Sequence, residues 1–323
     1  MKKAIAILVL GLLICSNLNA KDIKKKYLDP DFVFKPDKLF PWYEDVGNWG
    51  RLIVKAMTHK SSHAIRIDEE IVRDGKYSIR FEMQDRDCGK GDCKRGSFEG
   101  AYGRSEIDMY DSIREGYKFD HGEVWYAWSM YIPKTTNHIR PAYTMVDQFK
   151  ELSKMYKKRW KKYPECGHSD PSGGSDGIRL FFHLEEDGMD VNYEKCIKDK
   201  KGNPFSRHME KIIIPSSELH DLWLDFLLHV NWSYEDDGFM HLWVNDKKVY
   251  QQKGTNSDIP VKVEGKLPGA AFRFGIYNGK IDKYEKKFGK KRPTQVVYYD
   301  ALKRGFTCEE TALWHDCNNL PIK

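Results

Sequence analysis

The stretch Trp223–Val249, WLDFLLHVNWSYEDDGFMHLWVNDKKV, decides the fold class. Two runs rich in apolar and aromatic residues, Trp223–Trp232 and Gly238–Asn245, are joined through Asp236-Asp237-Gly238. A second turn signal follows at Asn245-Asp246. Asp, Asn and Gly accept the left-handed or locally hydrogen-bonded conformations that tight hairpin turns demand. Runs of this length bounded by such turns read as consecutive antiparallel strands.

The same pattern extends in both directions. It predicts strands at Arg51–Met57, Ala64–Ile71, Tyr77–Met83, Tyr102–Tyr110, Glu123–Ile132 and Thr144–Phe149. It continues at Ile178–Glu185, His208–Ile214, Ala270–Tyr277 and Gln295–Leu302. Helical signals are limited to one turn at Ser216-Ser217-Glu218 and a short C-terminal helix at Thr307–Trp314, with Thr307 as its N-cap. Glu151–Gly177 and Gly279–Thr294 read as loops. Many short strands and few short helices predict an all-β fold. Its form is a two-sheet antiparallel β-sandwich, a concanavalin-like jelly roll. The aromatics Trp125, Trp128, Trp232 and Trp243 belong mostly to its core, with one or two available to stack on a sugar ring.

Residues 1–20 have the form of a secretory signal peptide. Lys2 and Lys3 precede an apolar stretch, Ala4–Cys15, that is short for a membrane span, and the small residue Ala20 follows. Cleavage near Ala20 is expected, an uncleaved anchor being the alternative. Residues 21–323 then form a single domain, since no Pro/Gly/Ser-rich linker or internal repeat divides them. The expected location is periplasmic or secreted, as a monomer with no stable membrane association after cleavage. Six cysteines follow the signal: Cys88, Cys93, Cys166, Cys196, Cys308 and Cys317. An even number in an exported chain points to disulfides, and nearest-neighbour pairing is the simplest of the open arrangements. Metal binding by the cysteines is disfavoured, because they are dispersed and form no Cys-x-x-Cys pair.

The formal charge is +6, and two clusters carry much of it. Lys150–Lys162 holds seven positive residues against Glu151, among them Lys157, Lys158 and Arg159. Lys280–Arg292 holds seven against Asp282 and Glu285. Such runs are commonly solvated surface. Each of these directly follows a segment with the pattern of a binding face, which favours an anionic partner. For an exported chain that partner is a polysaccharide rather than nucleic acid.

The segments are Arg104-Ser105-Glu106-Ile107-Asp108, Gln148-Phe149-Lys150 and Arg273-Phe274-Gly275-Ile276-Tyr277. On a strand, alternate residues share a face. Arg104, Glu106 and Asp108 would share one, Gln148 and Lys150 another, and Arg273 and Tyr277 would flank Gly275. A glycine there would let a sugar approach the backbone. Arg179 and His183 alternate on Ile178–Glu185 in the same manner.

In order and spacing these segments resemble the jelly-roll polysaccharide lyases of the heparin lyase I and alginate lyase type. Those carry an Arg-Thr/Ser-Glu-Leu strand, a Gln-x-His strand and a Tyr-x-Lys-x-Gly-x-Tyr-x-Gln strand. The similarity covers roughly Tyr77–Arg304. Three positions depart from the pattern: Lys150 stands where the family has histidine, Arg273 where it has lysine, and Gly279 where it has glutamine. The resemblance implies β-elimination at a uronic acid. Arg104 and Gln148 would bind the carboxylate. Tyr277 would move the proton as acid and also as base, and Lys150 would neutralise the carboxylate in place of histidine. Arg273, Arg179, His183, Lys157, Lys158 and Arg159 would contact the polymer, and Glu106 would orient Arg104.

Two other readings compete. One is a non-catalytic carbohydrate-binding jelly roll. The other is a laminarinase-type glycoside hydrolase using Glu106 and Asp111 as its carboxylate pair. No cofactor is required by the lyase reading. Calcium, which this fold class admits, would sit at Asp300 or at the Asp236-Asp237 turn.

Overall fold

The computed structural model describes residues 33–34, 53–58, 61–88, 101–110, 122–150, 161–164, 178–259, 270–312 and 314–320. Its strands, numbered along the chain, form two antiparallel sheets. Across the first lie β1 (Val33–Phe34), β2 (Ile53–Thr58), β5 (Gly103–Tyr110), β14 (Ala271–Gly279), β7 (Tyr143–Lys150), β8 (Ile178–Glu185), β9 (Gly188–Lys198) and β10 (Pro204–Pro215). Across the second lie β13 (Lys247–Lys253), β12 (Phe239–Val244), β11 (Trp223–Trp232), β6 (Gly122–Tyr131), β15 (Gln295–Gly305), β4 (Ser78–Met83) and β3 (Ile65–Asp68). This is the β-sandwich jelly roll that the hairpin pattern predicted.

The sequence around Trp223 explains why. β11 pairs with β12 from Phe226↔Val244 to Asn231↔Phe239. β12 then returns into β13 through Asn245 and Asp246, both in the left-handed region at φ 47° and 63°. Positive φ at both central residues is the two-residue hairpin turn whose twist matches the flanking strands.

The core lies between the sheets. Trp128 stacks on Phe226 with ring centroids 4.9 Å apart, and Phe149 and Phe272 of the facing sheet pack at 6.2 and 5.1 Å from the same indole. Burying each large apolar side chain contributes about 1.5–3 kcal/mol. Trp125, Trp128, Trp232 and Trp243 are all buried, so none offers a sugar-stacking face.

Five elements differ from the sequence expectation, the first being the two-residue strand β1, which was not predicted. β9 and β13 add strands. α1 (Asp282–Phe288) occupies part of an expected loop and buries no residue, which is why it shows no apolar periodicity. An Asp282–Lys286 ion pair at 2.9 Å spans one of its turns, and Gly289 ends it in the left-handed region. α2 (Cys308–Thr311) is shorter than expected. Its N-cap is Thr307, whose hydroxyl accepts the Glu310 N–H at 3.2 Å.

The Cys308–Cys317 disulfide is present. It closes a C-terminal strap in which Cys308 and Leu320 cover Trp125, Ala127, Leu227 and Trp243. Cys88 and Cys196 are also disulfide-bonded. Cys93 and Cys166, their expected partners, lie outside the described residues, as do the expected signal at 1–20 and Lys157, Lys158 and Arg159.

Candidate active site

On β14, Phe272, Phe274 and Ile276 enter the core, so Arg273 and Tyr277 fall on the opposite, outer face of the first sheet. The neighbour β5 sends Ile107 inward and places Arg104 opposite Tyr277 and Glu106 opposite Gly275. On the other flank, β7 places Gln148 opposite Arg273.

A bulge sets the facing of β7. The register shifts between Met145 and Asp147 against β8, and between Phe274 and Tyr277 on β14. Two successive residues, Val146 and Asp147, therefore turn inward, and Gln148 returns to the outer face. Asp147 is buried completely and accepts a hydrogen bond from Trp128 Nε1 at 3.0 Å. Burial, with Glu106 nearby, pushes its carboxyl well above the usual range.

Gly275 serves this junction rather than the sugar approach expected for it. It has φ 125°, and a Cβ there would lie 2.8 Å from both the Glu106 Cα and a Phe81 ring carbon. The glycine is needed because β5 and the core crowd it.

Glu106, with no exposed surface, holds two neighbouring side chains of this face. Its Oε1 accepts from Gln148 Nε2, and its Oε2 lies 3.7 Å from Arg273 Nη1. Arg104 lies instead over the Tyr277 ring, its Cζ 4.9 Å from the centroid. Tyr277 is framed by two further tyrosines. Tyr102 stacks on it at 5.8 Å, and Tyr143 sits at 6.0 Å. Burial, followed by the neighbouring Tyr143 hydroxyl, raises the Tyr277 phenol well above its ordinary value, and Arg104 pulls the other way. Tyr102 and Tyr143 were not singled out in the sequence. A usable signal was present for Tyr102, which lies two residues before Arg104 in the same strand phase, whereas the bulge in β7 hides the phase of Tyr143.

The register brings some expected site residues together and separates others. Arg104 and Tyr277 are direct neighbours, as are Gln148 and Arg273. Lys150 is buried on the same face but pairs with Ala271. Six strand residues at about 3.3 Å each put that level roughly 20 Å from Tyr277. His183 pairs with Met145, which itself pairs with Tyr277. His183 thus shares the Tyr277 row two strands away, roughly 10 Å at the usual strand spacing. Tyr143 bridges the interval, with its ring 5.7 Å from the imidazole. The side chains of Arg179 and Asp108, and all of Asp111, lie outside the described residues.

Two surface features behave differently from their sequence appearance. In the second basic cluster the six lysines are exposed, but Arg292 is buried. It donates to the Gln84 carbonyl, and burial lowers its pKa to about 10. Arg292 is therefore structural. At the acidic turns, Asp300 accepts the N–H groups of Arg73, Asp74 and Ala301, and Asp237 accepts the Ser233 hydroxyl. Those carboxylates are committed to holding turns.

The sequence matches the family model described as Polysaccharide lyase over residues 43–303. Among solved structures it is similar to the endo-beta-1,4-glucuronan lyase from the fungus Trichoderma reesei. That similarity has 13% identity and a TM-score of 0.54 over 82% of this chain and 94% of that one. A family 7 alginate lyase solved in complex with substrate aligns at 11% identity and a TM-score of 0.43, over 76% and 82% of the two chains. At 13% identity the likeness to the glucuronan lyase is one of fold. No curated protein matches the sequence.

Proposed function

This chain belongs to the polysaccharide lyase family, and from that premise we propose that it is an exported lyase that cleaves a uronic-acid-containing polysaccharide by β-elimination. The observation that carries the reading is the Arg104–Tyr277 pair, a guanidinium 4.9 Å over a buried phenol on the outer face of the first sheet.

The chemistry sets two demands. The C5 proton beside the uronate carboxylate is only weakly acidic, so negative charge must be stabilised as it spreads into that carboxylate. The C4 oxygen must also gain a proton as it leaves. Pre-organised donors and charges aimed at developing charge supply most of the stabilisation in such sites. Arg104 takes the first role and neutralises the carboxylate. Both proton transfers fall to Tyr277: its phenolate accepts the C5 proton and returns it to the leaving oxygen. Burial opposes that phenolate and Arg104 favours it, so the reactive form is a minor one at neutral pH.

Gln148 and Arg273, fixed by Glu106, supply an amide and a cation for an adjoining sugar. Lys150 extends the cationic face farther along the chain path. This division of labour accounts for lysine in place of histidine: the residue binds the polymer and moves no proton. Glu106 is fully enclosed and engaged with Gln148 and Arg273, which suits a positioning carboxylate and not a glycosidase nucleophile.

The test is a screen of purified protein against a panel of polyuronates, including glucuronan, alginate and heparin-like chains, read by ultraviolet absorbance. Elimination leaves an absorbing unsaturated end. New reducing ends without that absorbance would mean hydrolysis, and turnover confined to neutral polysaccharides would reject the uronate assignment.

A further inference from the structure

We propose that His183, Glu185 and Asp190 form a binding site for a first-row divalent transition-metal ion, with zinc the best fit, beside the row that holds Tyr277. The proposal is independent of which polymer the enzyme cleaves.

The β8–β9 hairpin builds the cluster. His183 and Asp190 are direct partners across it. Glu185, two residues beyond His183, falls on the same face. One ligand atom from each of the three lies within 4.8 Å of the others. His183 Nδ1 is 3.5 Å from Asp190 Oδ1 and 3.9 Å from Glu185 Oε1. Both separations are too long for a good hydrogen bond. They are close to what an ion requires. Zinc bonds of about 2.0–2.2 Å in a tetrahedral shell place ligand atoms roughly 3.3–3.6 Å apart.

A second observation points to the same occupant. Glu185 Oε1 and Asp190 Oδ2 have no hydrogen-bond partner among the described residues, and neither does His183 Nε2. The Glu185 side chain is only 10% exposed and that of Asp190 is 0% exposed. A buried carboxylate oxygen without a partner is costly. Glu185 Oε1 faces the imidazole across the gap at 3.9 Å, and a cation there would remove its cost.

The donor set selects the ion class. Two carboxylates alone would suit calcium or magnesium. An imidazole among three protein ligands shifts the preference to zinc and its first-row neighbours. The surroundings are those of a ligand set held in place. The His183 amide donates to Asp190 Oδ1 at 3.1 Å, and Arg140 Nε donates to Glu185 Oε2. The rings of Phe181 and Tyr143 flank the imidazole at 4.8 and 5.7 Å. Such outer partners orient ligands and tune affinity. Tyr143 also touches Tyr277, so an ion at this site would stiffen the wall that the catalytic phenol leans on.

The experiment uses tag-free, full-length mature protein stripped with chelator. It is titrated with zinc and separately with calcium by calorimetry, with bound metal counted by mass spectrometry. We expect saturable binding of a single zinc ion per chain, a higher melting temperature with zinc, and no displacement by calcium. Asp190→Asn and Glu185→Gln keep the side-chain shapes. Each should weaken zinc binding by about tenfold or more and abolish the thermal shift, with an unchanged circular dichroism spectrum. His183→Ala should remove binding. Absence of saturable zinc binding by the folded wild type would overturn the proposal. So would binding that survives all three substitutions, or a preference for calcium.

Discussion

The ring of Tyr143 occupies the space that a side chain at Gly279 would fill: a Cβ built on Gly279 would overlap the Tyr143 phenol carbon and oxygen. The two residues are register partners at the end of β14 and β7. Position 279 is also where the resembling lyases carry glutamine. Here a tyrosine from the neighbouring strand supplies the polar group beside Tyr277 instead. Gly279→Gln should therefore lower activity, although it matches the family pattern, because it expels Tyr143. Turnover should fall by about tenfold or more, the scale of losing a group that sets catalytic geometry. Activity at or above wild type would show that Tyr143 has no such role.

Glu106 is the counter-charge that keeps Gln148 and Arg273 in place. Glu106→Gln preserves shape but removes the negative charge 3.7 Å from the buried Arg273 guanidinium. Breaking a buried pair in this way costs about 3 kcal/mol. A denaturant titration should show a loss of that order, and KM for the polymer should rise. A variant with unchanged stability and unchanged KM would mean that the Glu106 contacts are incidental.

The pH dependence follows from the raised Tyr277 phenol. A phenolate base present as a minor form makes turnover increase as pH rises, with no plateau below the ordinary tyrosine value of about 10. Stability carries the matching sign. The folded-state preference for the neutral phenol is fully present below about 10 and is lost as pH rises through the higher folded value. A rate profile that levels off near neutrality would assign the base to another group, with a histidine the first suspect.

Much of the fold was legible, and the reasons are local. Trp223–Val249 carries its turn residues where the hairpins bend, and the apolar phase of Arg273–Tyr277 and Arg104–Ile107 correctly separates core from outer face. β9 was readable in principle from Met189, Val191 and Tyr193, but Asp190, Asn192 and the charged residues after them disguise it. α1 has no apolar stripe, so periodicity has nothing to report. The pairing of site residues was not legible. Alternation shows which face a residue takes, but only register shows its neighbour. The bulge at Val146 and Asp147 depends on a buried acid meeting Trp128. That contact crosses from one sheet to the other, and the register around the bulge sets Lys150 far from Tyr277 while His183 shares its row.

The central claim is that Tyr277 moves the proton in an elimination from a uronate polymer. Its most direct test is the initial rate of unsaturated-end formation by Tyr277→Phe, followed by ultraviolet absorbance on the best substrate of the polyuronate panel. Only one hydroxyl is lost, so folding and polymer binding should stay close to wild type. Turnover should fall by about a hundredfold or more, the usual scale for a positioned acid–base group. A folded Tyr277→Phe enzyme that produces unsaturated ends at the wild-type rate would contradict the account.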